Sequence, residues 1–181
     1  VLVVDNTSPF VEDILSCLDK LGVSFEHKAF AGVSDDDLTS CNKVILSGRR
    51  EHSREINKVN SRIIRHCIGN GKPLLGICYG AEIIALTLGG SISKMPSHCR
   101  GMTIASVLIP NRLTDKKKSM LVFESHRYKI ARLPDNLKPI ASSKYCEVEI
   151  FSNDSKIFGT QFHPEKSGID GLVVLKNFSD V

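Results

Sequence analysis

The stretch LLGICYGAEIIALTLGG, residues 74–90, opens as a buried apolar strand and closes as an apolar helix, with Cys78 set between Gly76 and Gly80 at the junction. A strand that turns directly into a helix belongs to a parallel sheet wound with helices, where reactive groups sit at the carboxyl ends of the strands. Packing has little use for a thiol at such a turn. The following helix supplies unpaired N–H groups and a positive dipole end that favour a thiolate, and the flanking glycines relieve crowding and leave the thiol exposed. The pattern is a G-x-C-x-G nucleophile elbow built around sulfur. A small structural cysteine at a tight turn is the alternative.

Outward from this stretch the same alternation repeats. VLVVD (1–5) and KVILS (43–47) read as buried strands, and VSFEHK follows the first helix as another. SPFVEDILSCLDKLG reads as a helix capped by Ser8, with Pro9 at its first position and Gly22 closing it. HSREINKVNSRIIRHCIGN places Ile56, Val59, Ile63, Ile64 and Cys67 on one helical face. Right-handed βαβ units and an α/β fold follow. From about residue 91 to 162 the pattern changes to short strands and turns: SISKM, MTIASVLI, SMLVFE, PIASS, CEVEIF and KIFGTQF. These predict an antiparallel extension of the sheet, closed by a last helix, GIDGLVVLKNF.

At 181 residues and 41% hydrophobic, the chain suits one domain over residues 1–181. The 24 basic and 20 acidic residues are interspersed, which argues against a nucleic-acid partner. No run approaches the roughly 18 apolar residues of a bilayer span, and the N-terminus reads as a core strand, so a soluble, cytoplasmic protein is expected. The six cysteines include no C-x-x-C pair, which supports neither a zinc site nor a disulfide framework; no metal and no cofactor is assigned.

A thiol nucleophile needs a base, and FGTQFHPEKSG (158–168) offers His163. Pro164 holds His163 in the β region, so His163 and Glu165, two apart, can share one face of the strand end. Glu165 can then orient the imidazole for the thiol, the logic of a nucleophile, base and orienter. A lone histidine at a strand end is ordinarily structural; its conjunction with the cysteine elbow reverses that reading.

With these segments, the chain resembles the class I, triad-type glutamine amidotransferases, marked by a G-x-C-x-G elbow and a C-terminal F-H-P-E segment. The order Cys78, His163, Glu165 matches theirs, and ILSG (45–48), SH (125–126) and LKNF (175–178) fall where that family has counterparts. The resemblance implies a flavodoxin-like, doubly wound, mostly parallel sheet with an antiparallel extension. It also implies hydrolysis of glutamine to glutamate and delivery of ammonia to a synthase partner. By the same resemblance Tyr79 supplies one oxyanion N–H, the loop Gly48-Arg49-Arg50 the other, and Glu82, Ser125 and His126 contact substrate.

Two positions depart from the family. Its oxyanion loop reads Gly-Gly-Pro or Gly-Pro-Gly, whereas this chain has Arg49 and Arg50, so the loop is expected to sample several conformations and activity to be low without a partner. The fourth position after the cysteine is usually glutamine and here is Glu82. The segment ESHRYKIARLPDNLKPIASS looks most like the glutaminase of GMP synthase, which makes an ATP-dependent GMP synthase subunit the first candidate partner. FHPEKSG is more like the glutaminase of imidazole glycerol phosphate synthase, and VDNTSPFVEDI is similar to anthranilate and aminodeoxychorismate synthase subunits. Outside that class stand a thiol hydrolase on a related fold and a non-catalytic relative, the latter favoured by Arg49 and Glu82.

Overall fold

A computed structural model describes residues 1–181. Strands β1 (Leu2–Asp5), β2 (Glu26–Ala29), β3 (Val44–Leu46) and β4 (Leu74–Ile77) alternate with helices α1 (Val11–Lys20), α2 (Asp35–Ser40), α3 (Arg54–Gly69) and α4 (Tyr79–Thr87). Strands β5 (Ser91–Val107), β6 (Ser119–Arg132), β7 (Lys138–Ser142), β8 (Ile150–Ser152) and β9 (Ile157–Thr160) follow, then α5 (Gly168–Ser179). All nine strands join one sheet in the order β2-β1-β3-β4-β9-β8-β7-β5-β6. The pairings from β2 to β9 are parallel and those from β9 through β8, β7 and β5 to β6 antiparallel, so the expected extension is present.

Side-chain alternation along the strands divides the core. Leu2, Val4, Val44, Leu46 and Leu74 pack with α3 and α4, whereas Val3, Ile45, Leu75 and Ile77 pack with α1 and α5. A strand clad on both faces must be apolar at every position, which is why VLVV and KVIL read as continuous runs.

Local differences from the sequence expectation have physical causes. Thr7 takes a positive φ of 66°, and the Ser8 N–H donates to Asp5 Oδ1 (2.9 Å), so a side-chain turn delays α1 to Val11. Pro9 therefore lies before the helix and Ser8 caps nothing within it. Gly22 does close the helix, at φ +67°. SISKM and MTIASVLI fuse into the single strand β5, and SMLVFE runs on through ESHRYKIAR as β6. A register shift between Lys94 and Cys99 accommodates Pro96, which has no N–H for the ladder. The short helix α2 had no apolar period to reveal it; it is set by a capping box between Ser34 and Asp37. No helix is long and apolar enough to cross a membrane.

Candidate active site

One residue separates β4 from α4, and that residue is Cys78, at φ 52° and ψ −107°. No other junction in the sheet is so abrupt for a residue with a Cβ, and conformations this sparsely populated cost on the order of 1–3 kcal/mol. The turn is over-determined by its surroundings. A Cβ on Gly76 would lie 2.4 Å from the Gly80 carbonyl carbon, and one on Gly80 would lie 2.3 Å from the Leu46 carbonyl oxygen. The Cys78 N–H donates to the Thr160 carbonyl (2.7 Å), and the Cys78 carbonyl accepts from the Glu82 N–H (3.0 Å). The thiol is 7% exposed rather than open as the sequence predicted, because the loops after β3 and β6 close over it.

Strand order brings the imidazole to the thiol. β9 lies beside β4 with Ile77 opposite Thr160, so the chain beyond Thr160 passes alongside Cys78. His163 takes the predicted extended conformation before Pro164, and its N–H donates to the Phe123 carbonyl (2.9 Å). The His163 Nδ1–H donates to Glu165 Oε1 at 2.7 Å, leaving Nε2 for the thiol. Glu165 does not share a strand face with His163: it sits on a single 3-10 turn, Pro164–Lys166, that curls the carboxylate back under the ring. Phe10 packs edge-on against the imidazole at a centroid distance of 4.8 Å. Gly48 lies between the two reactive groups, since a Cβ there would stand 3.1 Å from His163 Cε1 and 3.8 Å from Cys78 Cβ.

Burial pushes the Cys78 thiol up, while the His163 charge, a hydrogen bond to that ring and the Tyr79 N–H pull it down. Burial alone would lower His163, but the Glu165 carboxylate and the Cys78 side chain outweigh it and hold the imidazolium well above its ordinary 6.5. The pair therefore retains a proton available to a leaving group, and the thiolate has its counter-ion in place.

A cavity of about 390 Å³ opens over Cys78 and His163. Of the predicted contacts, Arg49, Tyr79, Glu82, Ser125 and His126 line it; Gly48 lies beneath and Glu165 behind His163. Glu82 is buried, its carboxyl pushed up by desolvation first, and it accepts from Gln161 Nε2 (3.1 Å). His126 is buried as well, with Nε2 on Glu124 Oε2 (3.0 Å) and Nδ1 on the Tyr128 carbonyl (2.7 Å). Arg49 is ordered: its guanidinium stacks 3.9 Å from the Tyr79 ring centroid and donates to Asn57 Oδ1 (2.8 Å). Asn57, Gln161, Glu124 and Glu149 were not found from sequence. Gln161 lay inside a quoted motif, but the other three show only in the folded chain.

Residues 2–180 match the family described as glutamine amidotransferase class-I. GMP synthase [glutamine-hydrolyzing] of Mannheimia succiniciproducens is 33% identical over 192 residues, covering 98% of this chain and 36% of that protein. The chain thus spans about a third of the length of such relatives. In Sulfolobus acidocaldarius, a separate glutamine-hydrolysing subunit of GMP synthase is 38% identical over 109 residues, 59% of this chain and 58% of that one. A crystal structure of a Thermoplasma acidophilum protein, described as one subunit of GMP synthase, superimposes with a TM-score of 0.87 at 30% identity, covering 99% of this chain and 91% of that one. With the family matched along nearly its whole length, and the elbow and F-H-P-E segment in one site, the chain belongs to the class I glutamine amidotransferases.

Proposed function

We propose that the chain hydrolyses glutamine to glutamate and ammonia through Cys78, His163 and Glu165, and hands the ammonia to the ATP-dependent synthase subunit of a GMP synthase. The observation that carries this reading is the strained Cys78 beside an imidazole whose far nitrogen is held by Glu165. The names of the similar proteins support the choice of synthase.

In the proposed reaction the Cys78 sulfur attacks the side-chain amide carbon and its proton passes to His163. The C–N bond then breaks, and His163 returns that proton to the departing nitrogen, giving ammonia and a thioester. Water attacks the thioester carbon, losing a proton to His163; the C–S bond breaks, glutamate leaves, and the proton goes back to sulfur. Two tetrahedral intermediates require oxyanion donors, for which Tyr79 N–H and the backbone of the Gly48–Arg49 loop are positioned candidates. Glu165 keeps the ring in the tautomer that leaves Nε2 free.

The test is to mix the purified chain with glutamine, alone and with ATP plus the synthase subunit, and to measure glutamate and ammonia. Release that Cys78→Ala abolishes supports the reading. No release under either condition, from a folded chain, overturns it in favour of a non-catalytic relative.

A further inference from the structure

Behind the pocket wall lies a cluster that the proposed reaction does not use. Glu124 and Glu149 are each 0% exposed, and each has one carboxyl oxygen, Glu124 Oε1 and Glu149 Oε2, without a hydrogen-bond partner. Their other oxygens are engaged: Glu124 Oε2 with His126 Nε2 at 3.0 Å, Glu149 Oε1 with the Ser143 hydroxyl at 2.6 Å. The two carboxyls lie within hydrogen-bonding reach of each other. Two adjacent carboxylates with no water between them cannot both stay ionised, and a single proton placed between the orphan oxygens satisfies both.

His126 restricts the arrangement further. Nδ1 faces the Tyr128 carbonyl at 2.7 Å and Nε2 faces a carboxylate oxygen, and both of these accept. A ring between two acceptors donates from both nitrogens, so it is the imidazolium, the stronger base of the pair taking the proton. One neutral carboxylic acid, one carboxylate and one imidazolium sum to zero charge, the state that burial favours.

We propose that Glu149 and Glu124 share one proton and, with a doubly protonated His126, form a neutral buried positioning site that fixes the pocket wall from Ser125 to Tyr128. Ser125, His126, Arg127 and Tyr128 all line the cavity over Cys78, so the cluster sets where that wall stands. The sequence-predicted role of Ser125 and His126 in substrate contact then depends on two carboxyls that never touch substrate.

The groups facing the cluster are Cys99 from β5, Cys146 and Ser143 from the β7–β8 connection, Glu82 from α4 and His98 from β5, with Lys129 and Lys144 farther out. Cys146 and Cys99 are themselves pushed up by burial, Cys99 to about 11, and add no charge. Burial first and Glu124 second push Glu149 up from its ordinary 4.5 to about 9. Because the folded value is the higher one, the stability from this proton is complete below the ordinary value and is lost as pH rises through about 9.

Three measurements test the site. In ¹⁵N-labelled protein at pH 7.5, the ring signals absent from a His126→Gln spectrum should show both nitrogens protonated; a single neutral tautomer overturns the proposal. Glu149→Gln, which donates without needing a proton, should lose the decline of melting temperature between pH 5 and 9; an unchanged decline overturns it. Glu149→Ala should raise the glutamine KM about 10-fold with kcat within about 2-fold, and Glu149→Gln should restore it, since sub-ångström misplacement acts on binding geometry. Equal KM values for all three proteins count against positioning. Only this last arm rests on the glutaminase reading. The ring-nitrogen and melting arms need no turnover, so they judge the cluster even if the chain releases no glutamate or if Glu149→Ala fails to fold.

Discussion

The Arg49 guanidinium lies flat over the Tyr79 ring, 3.9 Å from its centroid, and both side chains donate to the same Asn57 oxygen, Arg49 at 2.8 Å and Tyr79 at 2.9 Å. This clamp ties the loop after β3 to the residue that follows Cys78. The sequence predicts a loop of several conformations, because Arg49 and Arg50 stand where the family has glycine and proline. The stack supplies an order that the backbone alone does not, and a cation–π contact of this kind is worth about 0.5–2 kcal/mol. Asn57 completes it from the first turn of α3.

Arg49→Ala should therefore slow glutamine turnover in the isolated chain, by up to the roughly 100- to 1,000-fold that loss of one oxyanion donor costs. Asn57→Ala should follow it in direction with a smaller effect, because the stack remains. Steady-state kcat values check this; faster turnover in Arg49→Ala would mean that the clamp holds the loop in an idle conformation.

The strain at Cys78 makes a prediction about stability that runs against the usual order of residues. In most settings alanine is more stable than glycine, but φ 52° with ψ −107° is a region that residues with a Cβ avoid. Cys78→Ala and Cys78→Gly both lose the sulfur and differ in the Cβ alone. Cys78→Gly should be the more stable by about 1 kcal/mol in denaturant unfolding, with glutamine turnover abolished in both. Equal stability would show that the elbow is not strained.

Much of the fold was legible because doubly covered strands advertise themselves. VLVV and KVIL have no polar position to confuse the pattern, and β4 to α4 is marked by its glycines. The hairpin of β5 and β6 was harder. Its outward residues are mixed, Ile104 and Leu121 being exposed beside Ser106 and Ser119, so half of each strand reads as loop. At the site, Cys78, His163 and Glu165 were found because their spacing encodes a chemistry. Glu124 and Glu149 are 25 residues apart on different strands, and only the antiparallel pairings of β5, β7 and β8 bring them together. A carboxyl that is buried and neutral looks in sequence like any surface glutamate.

Glu165 governs how long His163 keeps its proton as pH rises. Burial works against the imidazolium, and the carboxylate at 2.7 Å is the largest influence in its favour. The folded value is raised, so the stability from this proton is present below 6.5 and lost as pH climbs through the higher value. Glu165→Gln keeps a hydrogen-bond acceptor and removes the charge. The alkaline limb of kcat/KM should move to lower pH and kcat should fall about 10- to 100-fold, whereas His163→Ala should cost about 1,000-fold or more. An alkaline limb that does not move in Glu165→Gln would detach it from His163.

Glu82 poses the remaining question of charge in the pocket. It is 5% exposed, and its only hydrogen-bonding side-chain neighbour is the Gln161 amide, with His126, Arg49 and His163 contributing longer-range attraction. Desolvation wins over these, so the carboxyl is raised above its ordinary value, and the stability from its proton declines as pH rises through the raised value. Glu82→Gln removes that decline and should melt higher than the parent chain at pH 8, with the difference vanishing near pH 4. The effect on substrate decides the role of the residue. If the carboxylate binds the substrate ammonium, Glu82→Gln should raise the KM for glutamine about 10-fold, the loss of one charge-assisted hydrogen bond. If it repels the substrate carboxylate, KM should fall instead. The Gln161 amide, which can turn its oxygen or nitrogen toward the new side chain, keeps the pocket floor intact in either case, so a change in KM reports charge rather than collapse.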